Sequence, residues 1–468
     1  MVQDEPDNQQ PPKTVKRPRS TRRVVLALLA VAVFAVVTAF MIAAFSGAST
    51  LFGIVSNPLA PEDDSLKIVA VYSDGDEESS FVSGIRLAVK QVNATAEKVL
   101  GRELKLEFIR EGNINTTTEL ETTVSRTLSL SDRISGLQNL LAVIGHEWSD
   151  TAVTASSVYA RNDVLFLATH ATATSLTNHS FETVFALQPD NATNAHLIGR
   201  YAIKSGYKNF IVLSDKTDYG KESSNFFTEA ITKAGATAVF RGYLTSAQRS
   251  IDDLLMFILD NQLFSRNDYD AFFIVSSSLD ETAEFIRRAR DLGLTVPIFG
   301  MEYMFSEVVE QKAGRKAMKD VIGVSLYNRD SVGDAHASQF IVDYLKANGA
   351  MPDLNAALGY DAVTLLRDAV NLTGSLSADK VSDVMKIARY KTAFSGVTGP
   401  LVFDRNGLIT DTEVYVVRHD GATFHTVAGI TIPLDKSSGA DGDPERVEGP
   451  GEAAESGGLP PDMETTGQ

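Results

Sequence analysis

Seven short apolar runs, separated mostly by stretches with amphipathic helical spacing, are the sequence feature that most constrains the fold of this chain. The first run, LKIVAVY at residues 66–72, is suited to a strand buried on both faces. It is followed by FVSGIRLAVKQVNA, which places Phe81, Ile85, Ala88 and Val92 at helical spacing. This alternation is typical of parallel α/β layers, and two layers are needed to hold all the runs. The other six runs are LKLEFI, LLAVIG, VLFLAT, NFIVLSD, AFFIVSS and VPIFG.

The N-terminus predicts a single membrane anchor. Residues 1–23 carry six Lys and Arg residues, and the apolar run at residues 24–45 is interrupted only by Thr38. At about 1.5 Å per helical residue, this run matches the roughly 30 Å core of a bilayer. We therefore predict a short basic cytoplasmic tail, a transmembrane helix and a linker at residues 46–64, with the rest of the chain extracytoplasmic at the cell membrane. Cleavage after Ser46-Gly47-Ala48 is the alternative that the sequence leaves open.

The composition excludes several classes of protein. A chain of 468 residues that is 44% hydrophobic is long enough for two or three packed domains. Its formal net charge of −17 opposes binding to nucleic acid. The absence of cysteine excludes thiolate metal sites, Cys nucleophiles and disulfides, and we predict no metal site and no cofactor. Residues 432–468 are rich in Gly, Pro, Ser and acids, which predicts a disordered acidic tail.

The stretch HEWSD at residues 146–150 contains the groups from which a hydrolase builds a nucleophile and its base. It follows the strand-like run LLAVIG, where Gly145 permits a turn and Ser149 or Asp150 can serve as the N-cap of a helix. Neighbours in sequence at a turn generally point apart, whereas nucleophilic catalysis needs a base within hydrogen-bond reach. The chain also lacks a G-x-S-x-G elbow and an H-E-x-x-H zinc helix at this position. We therefore predict a binding loop and not an enzyme.

Seven segments of the chain follow one another in this order: FVSGIRLAVKQVNA, VIGHEWS, VLFLATHATATSLT, SDKTDYGKE, FIRRARDLGLTVPIFGMEY, ALGYDAVTLLRDAV and SGVTGPLVFDRNGLI. In this order they resemble the type 1 periplasmic binding proteins of the leucine/isoleucine/valine-binding kind, over essentially residues 65–430. The resemblance implies two doubly wound α/β lobes joined by a three-crossing hinge that close on a small ligand. By this analogy, lobe one holds residues 65–188 and 328–402, and lobe two holds 189–327 and 403–431.

The resemblance also implies five ligand-binding residues. Ser149 falls on the family serine that holds a ligand carboxylate, and Thr172, with backbone from His170, falls on the contacts of the next loop. Tyr219 matches a cleft tyrosine, and Glu302 matches the acid that takes the ammonium group in amino-acid binders. A zwitterion needs donors at one end and a carboxylate at the other, which this set supplies.

The chain departs from the family pattern at three positions of the side-chain pocket. His170 replaces a small residue, Trp148 is unusually bulky, and Ser278 stands where a second cleft aromatic is expected. The nature of the ligand side chain is therefore left open.

The function implied by the resemblance is capture of a small amino acid or related polar solute outside the membrane, for import by an ATP-binding-cassette permease. The alternative is a membrane-tethered sensor that uses the same cleft and acts through a partner protein. A third reading is an interaction protein without a small-molecule ligand.

Overall fold

The computed structural model describes residues 64–73, 79–112, 117–246, 249–260, 268–328, 334–388 and 394–432. The predicted cytoplasmic tail, the anchor at residues 24–45, and nearly all of both the linker and the acidic tail lie outside these ranges and remain predictions. The first tail residue, Ile432, is instead the last residue of a strand. Among the helices in the described ranges, none combines the length and the hydropathy that crossing a bilayer requires.

Residues 64–188 form a sheet of five strands in the order β2-β1-β3-β4-β5. All neighbouring strands in it are parallel. Parallel neighbours cannot be joined by a tight hairpin, so a helix connects each strand to the next. The elements are β1 (Leu66–Tyr72), α1 (Ser80–Ala94), β2 (Leu104–Arg110), α2 (Thr117–Ser135), β3 (Leu140–Gly145), α3 (Ser149–Arg161), β4 (Leu165–Ala168), α4 (Ser175–Asn178) and β5 (Val184–Ala186).

Residues 189–327 form the parallel part of a second sheet. Strand β6 pairs with β7 and β8, β8 pairs with β9, and β9 pairs with β10, all in parallel. The elements are α5 (Asn191–Lys204), β6 (Asn209–Ser214), α6 (Asp218–Lys233), β7 (Thr237–Tyr243), α7 (Ile251–Asp260), β8 (Ala271–Val275), α8 (Leu279–Asp291), β9 (Ile298–Gly300), a 3₁₀ helix (Glu302–Phe305), α9 (Glu307–Ala313) and β10 (Val321–Ser325).

The chain after residue 328 first packs a helix beside the first sheet and then adds two strands to the second sheet. Helix α11 packs on α1 beside the first sheet, and β14 pairs antiparallel with β10. The second sheet therefore has seven strands in the order β15-β14-β10-β9-β8-β6-β7, and β11, β12 and β13 form a small sheet of their own. The elements are α10 (Ala335–Asn348), α11 (Leu354–Thr373), α12 (Ala378–Ile387), β11 (Phe394–Gly396), β12 (Gly399–Phe403), β13 (Ile409–Thr410), β14 (Thr412–His419) and β15 (Phe424–Ile432).

The chain passes between the two sheets three times, after β5, after β10 and between β13 and β14. The predicted α/β class with parallel sheets is confirmed, and the second sheet is mixed because of its antiparallel strands β14 and β15. The seven apolar runs form β1, β2, β3, β4, β6, β8 and β9.

The central strands of each sheet are buried on both faces, as their apolar sequences predict. In β1, Val69 and Val71 pack with α2 and α3, whereas Ile68 and Ala70 pack with α1 and α11. Successive side chains of a strand point to opposite faces, so one apolar run supplies both cores. The second sheet is built the same way, with α7 and α8 on one face and α5 and α6 on the other.

Two glycines let backbone segments approach closely where the fold needs it. Gly145 ends β3 at φ +118°, and a Cβ there would meet the Val71 carbonyl oxygen at 2.0 Å. Gly84 in α1 lies against α11, where a Cβ would meet the Ala356 carbonyl oxygen at 2.1 Å. These contacts fix where the loop after β3 and the start of α11 lie, and both segments border the candidate site.

Candidate ligand-binding cleft

The five predicted site residues lie at the carboxyl ends of four parallel strands. Ser149 begins α3 beyond β3, and His170 and Thr172 follow β4. Tyr219 lies in the first turn of α6 beyond β6, and Glu302 begins the 3₁₀ helix beyond β9. All five residues are buried, with exposed fractions between 2% and 7%. Thr172 and Tyr219 lie beside Glu302, and loops of this kind collect at the carboxyl edge of a parallel sheet.

Glu302 is a buried carboxylate that its surroundings do not satisfy. Neither carboxylate oxygen has a hydrogen-bond partner within the part of the chain that the structure describes. Burial raises the pKa of the Glu302 carboxyl to about 7, and the Glu302 backbone N–H and the nearby Tyr219 and Thr172 side chains oppose this shift only in part. The Tyr219 hydroxyl also lacks a partner of normal geometry among these residues. A ligand with donor groups would offset the cost of burying this carboxylate.

The loop after β4 is fixed by hydrogen bonds to the second sheet's helices. The Thr172 hydroxyl donates to Asn191 Oδ1 at 2.6 Å, and the Asn191 amide donates to Glu222 Oε2 in α6 at 2.7 Å. The Thr174 N–H donates to the same Glu222 oxygen at 3.1 Å. Because the Thr172 hydroxyl hydrogen is already donated, its oxygen is left to act as an acceptor.

His170 is a neutral, buried side chain packed between aromatic rings. Its ring centre lies 4.6 Å from that of Phe81 and 5.3 Å from that of Tyr72. Burial lowers the pKa of His170 to about 3, and the nearby Asn355 side chain opposes this only in part. His170 therefore adds shape and polarity to the site but no positive charge at neutral pH.

The interpretation of Ser149 or Asp150 as a helix N-cap is wrong. Helix α3 begins at Ser149, and the cap position is Trp148, whose side chain makes no capping bond. Burial and the nearby Asp218 carboxylate raise the pKa of Asp150 to about 6. The helix starts earlier than the sequence pattern indicates, so capping does not occupy the Ser149 hydroxyl.

His146 is a structural residue and not a catalytic base. Its Nδ1 lies 2.7 Å from Glu111 Oε2, and its Nε2 lies 3.0 Å from the Tyr159 hydroxyl. The other Glu111 oxygen accepts the Glu147 N–H at 2.7 Å. With both ring nitrogens engaged, His146 holds the loop before Ser149 in place.

Tyr303 is a cleft residue that the sequence reasoning missed. Its hydroxyl donates to the Glu147 carbonyl at 3.1 Å, which ties the loop after β9 to the loop after β3. Its ring centre lies 5.4 Å from that of Tyr219, at right angles, and 6.4 Å from that of Trp148. The sequence feature that could have identified Tyr303 is its position directly after Glu302, at the end of a strand.

A cavity lies beside Glu302, between the start of α11 and the second sheet. Its interior volume is about 70 Å³, and it opens to solvent. His170 and Glu302 line it, whereas Ser149, Thr172 and Tyr219 lie outside its lining. The lining is completed by Gln188, Tyr303, Phe305, Ser306, Ser325, Tyr327, Asp353, Leu354, Asn355, Val417, Phe424 and Thr426.

Two α/β sheets that meet at their carboxyl edges around buried polar groups define the architecture of a solute-binding protein. The family described as periplasmic binding protein matches residues 72–423. The chain therefore belongs to the periplasmic binding proteins, and the resemblance stated from the sequence is confirmed.

Known relatives and solved structures agree with this assignment. The Leu/Ile/Val-binding protein of Citrobacter freundii is 25% identical over 269 residues, which are 57% of this chain and 68% of the relative. The fold is similar to an ABC transporter substrate-binding protein from Desulfitobacterium hafniense in complex with Leu, with TM-score 0.64, 22% identity and coverage of 78% of this chain and 100% of that one.

A second solved structure with this fold is a solute-binding protein of an ABC transporter from R. palustris in complex with benzoate. Its TM-score is 0.67 at 18% identity, with coverage of 79% of this chain and 97% of that one. The family and the named relatives are binding proteins, which confirms the prediction of a binding protein rather than an enzyme.

Proposed function

We propose that this chain captures a small amino acid, or a related polar solute with an amine, between two closing lobes outside the cytoplasm, for import by an ATP-binding-cassette transporter. The observation that carries the proposal is Glu302, which lines the cavity and has no partner for either carboxylate oxygen among the described residues. An ammonium group would supply charge-assisted hydrogen bonds to this carboxylate.

We assign the ligand carboxylate to the loops that follow the strands of the first sheet. Ser149 presents a hydroxyl at the start of α3, and the first backbone N–H groups of a helix have no partner within the helix and favour an anion. Thr172 and Tyr219 both lie beside Glu302, and the backbone of His170 precedes Thr172. Ser149 and the N–H groups would thus receive the carboxylate, while Glu302 accepts the amine.

The ligands named for the two solved structures differ in the group that Glu302 would recognise. Leucine carries both a carboxylate and an amine, whereas benzoate carries a carboxylate alone. A buried acid is unfavourable beside a ligand whose only charge is negative. Glu302 therefore favours a ligand with an amine for this chain.

Calorimetry on the purified chain tests the proposal with amino acids and with carboxylic acids that lack the amine. We expect binding of amino acids only, and we expect Glu302→Gln to weaken it by about 1.5–3 kcal/mol, the scale of a charged hydrogen bond. The control is Glu307→Gln, an exposed acid in the next helix, which should leave affinity unchanged. Equal affinity for benzoate and for amino acids would refute the amine assignment.

We also propose the lobe boundaries that the resemblance implies. Residues 65–188 and 328–402 would form lobe one, and residues 189–327 and 403–431 would form lobe two. In support, the five-stranded sheet and α11 fall in the first set, and the strands of the seven-stranded sheet fall in the second.

The proposed attachment to the membrane rests on the apolar run at residues 24–45 alone. A tethered receptor could deliver its solute to a permease or act as a sensor through a partner protein. Alkaline extraction of cell membranes tests the tether, because a spanning helix stays with the lipid whereas a processed, released protein does not.

A further inference from the structure

Glu222 in α6 accepts hydrogen bonds from both sides of the cleft. From the loop after β4, the Thr174 N–H donates to Glu222 Oε2 at 3.1 Å, and the Thr174 hydroxyl donates to Glu222 Oε1. From the start of α5, the Asn191 side-chain amide donates to Glu222 Oε2 at 2.7 Å. Helix α6 packs on the second sheet, whereas β4 belongs to the first sheet. Glu222 therefore joins the two sides of the cleft two residues beyond Thr172.

The side-chain amide of Asn191 has one orientation that suits both of its neighbours. A carboxylate accepts hydrogen bonds and donates none, so the NH₂ group of Asn191 faces Glu222. The amide oxygen then faces Thr172, whose hydroxyl donates to it at 2.6 Å. Asn191 is fully buried, and its backbone N–H also donates to the Thr172 carbonyl at 2.7 Å. Glu222 thus determines, through Asn191, where the hydrogen of the Thr172 hydroxyl points.

This orientation of the Thr172 hydroxyl places an acceptor beside Glu302. Thr172 and Glu302 lie close together, and a hydroxyl has one hydrogen and two lone pairs. Because the hydrogen goes to Asn191, it does not satisfy Glu302, whose carboxylate oxygens have no partner of normal geometry within the described ranges. Two neighbouring acceptors suit a group with several hydrogens, which an ammonium group supplies and a single hydroxyl does not.

We propose that Glu222 is a positioning residue for ligand recognition, which holds the Thr172 hydroxyl, through Asn191, as a second acceptor for the ligand amine. Its bonds to Thr174 also hold the loop that carries Thr172 against α6. Glu222 acts through these residues and not by contact with the ligand. The inference rests on the proposed function, in which Glu302 takes the amine.

The test compares amino acids with the 2-hydroxy acids of the same skeleton, by calorimetry on the full chain. Each amino acid presents three amine hydrogens and a positive charge, whereas its hydroxy acid presents one hydrogen and no charge at that position. The pairs are alanine with lactate, leucine with 2-hydroxy-4-methylpentanoate, phenylalanine with 3-phenyllactate and glutamate with 2-hydroxyglutarate. Where a hydroxy acid binds too weakly to titrate alone, displacement of the bound amino acid gives its affinity.

The diagnostic variant is Glu222→Gln, because glutamine can turn either its oxygen or its NH₂ group towards Asn191 and no longer fixes that amide. We expect amino-acid affinity to fall by about tenfold and hydroxy-acid affinity to fall by less than about threefold, since the lost acceptor serves the amine. Such a change in preference would not follow from a purely structural role of Glu222, which would weaken both kinds of ligand together.

Glu229→Gln is the matched control, because it changes an exposed acid of the same helix that pairs with Lys233 at 2.6 Å. This variant should keep both affinities. If melting curves show that Glu222→Gln does not fold, Asn191→Ala breaks the same connection at its other end and keeps Asp190 as the N-cap of α5. Asn191→Ala should show the same loss of preference for the amine.

The outcomes separate this inference from the proposed function. If amino acids bind Glu222→Gln as tightly as they bind the wild type, the inference is wrong and the proposed function stands. The same holds if the variant weakens amino acids and hydroxy acids by the same factor. If no amino acid binds the wild type, or if Glu302→Gln leaves every affinity unchanged, the proposed function fails and this inference fails with it.

Discussion

The free-energy cost of burying the Glu302 carboxylate indicates where a ligand binds. Its carboxylate is buried, lacks hydrogen-bond partners among the described residues and has a pKa raised to about 7, chiefly by burial. Such a group destabilises the folded protein whenever it is ionised. A cost of this kind is common where a ligand later supplies the missing interactions.

Glu302→Gln should stabilise the ligand-free protein in a pH-dependent way. The folded-state pKa of about 7 lies above the ordinary value of 4.5, so the folded state binds the proton more tightly. Stability from this group is present at low pH and is lost as the pH rises from about 4.5 through about 7. Chemical denaturation should therefore find the variant more stable than the wild type by up to about 3 kcal/mol at pH 8, and by much less at pH 5.

A difference between the two proteins that is the same at pH 5 and pH 8 would contradict this account. Glu147, whose pKa is raised by burial to about 8, contributes the same background to both proteins and does not affect the comparison.

At the scale of elements, strand ends and helix starts place the site, but they do not reveal how each residue is used. Ser278 illustrates the difference, because its hydroxyl accepts the Glu281 N–H at 3.2 Å and caps α8. Ser149, predicted as a possible cap, is instead the first residue of its helix. Whether a polar residue caps a helix depends on where the helix begins, and a shift of one residue changes its role.

The Tyr303 hydroxyl should contribute to the contact between the loops of the two sheets. Tyr303→Phe removes its bond to the Glu147 carbonyl and keeps the ring contacts with Trp148 and Tyr219. We expect a loss of about 0.5–1.5 kcal/mol in the free energy of unfolding, together with weaker ligand binding measured by calorimetry.

The matched control is Tyr415→Phe in β14, whose hydroxyl donates to Glu413 at 2.8 Å away from the cavity lining. It should leave ligand affinity unchanged. Equal losses of affinity in both variants would argue against a specific role for Tyr303.

At the scale of the whole molecule, the apolar runs predicted seven of the ten parallel strands that the structure describes and neither of the antiparallel strands β14 and β15. Apolar runs mark β1, β3 and β8 because these strands are buried on both faces. Strand β7, TAVFRGY, is an edge strand with exposed side chains, and no apolar run marks it. Local patterns cannot show the pairing of β10 with β14, whose partners Val324 and Val416 lie far apart in sequence.

The same limit applies to the candidate site. Residues that follow a strand directly, such as Thr172 and Glu302, could be predicted from their place in the chain. The far wall of the cavity contains Val417, Phe424 and Thr426, which only the pairing of β14 with β10 and β15 brings beside Glu302. No local sequence pattern indicates this wall, so the sequence alone left the ligand side chain open.

Closure of the two lobes should be visible in the emission of Trp148. It is the only tryptophan of the chain and is 6% exposed, and its Nε1 has no hydrogen-bond partner in the described ranges. Its ring faces Tyr303 of the second sheet. Separation of the lobes would admit water to this indole, so we expect ligand addition to shift the emission to shorter wavelength as the closed form is populated.

Ser149→Ala tests whether the neighbouring hydroxyl binds the ligand in that closed form. Because Ser149 is not a cap, the variant should keep its free energy of unfolding within about 0.5 kcal/mol. Loss of a hydrogen bond to a ligand carboxylate should move the emission titration to at least about tenfold higher ligand concentration. Ser157→Ala, an exposed serine of the same helix, should titrate like the wild type. An emission spectrum that stays constant while calorimetry records saturation would mean that the ligand binds without moving the two lobes at Trp148.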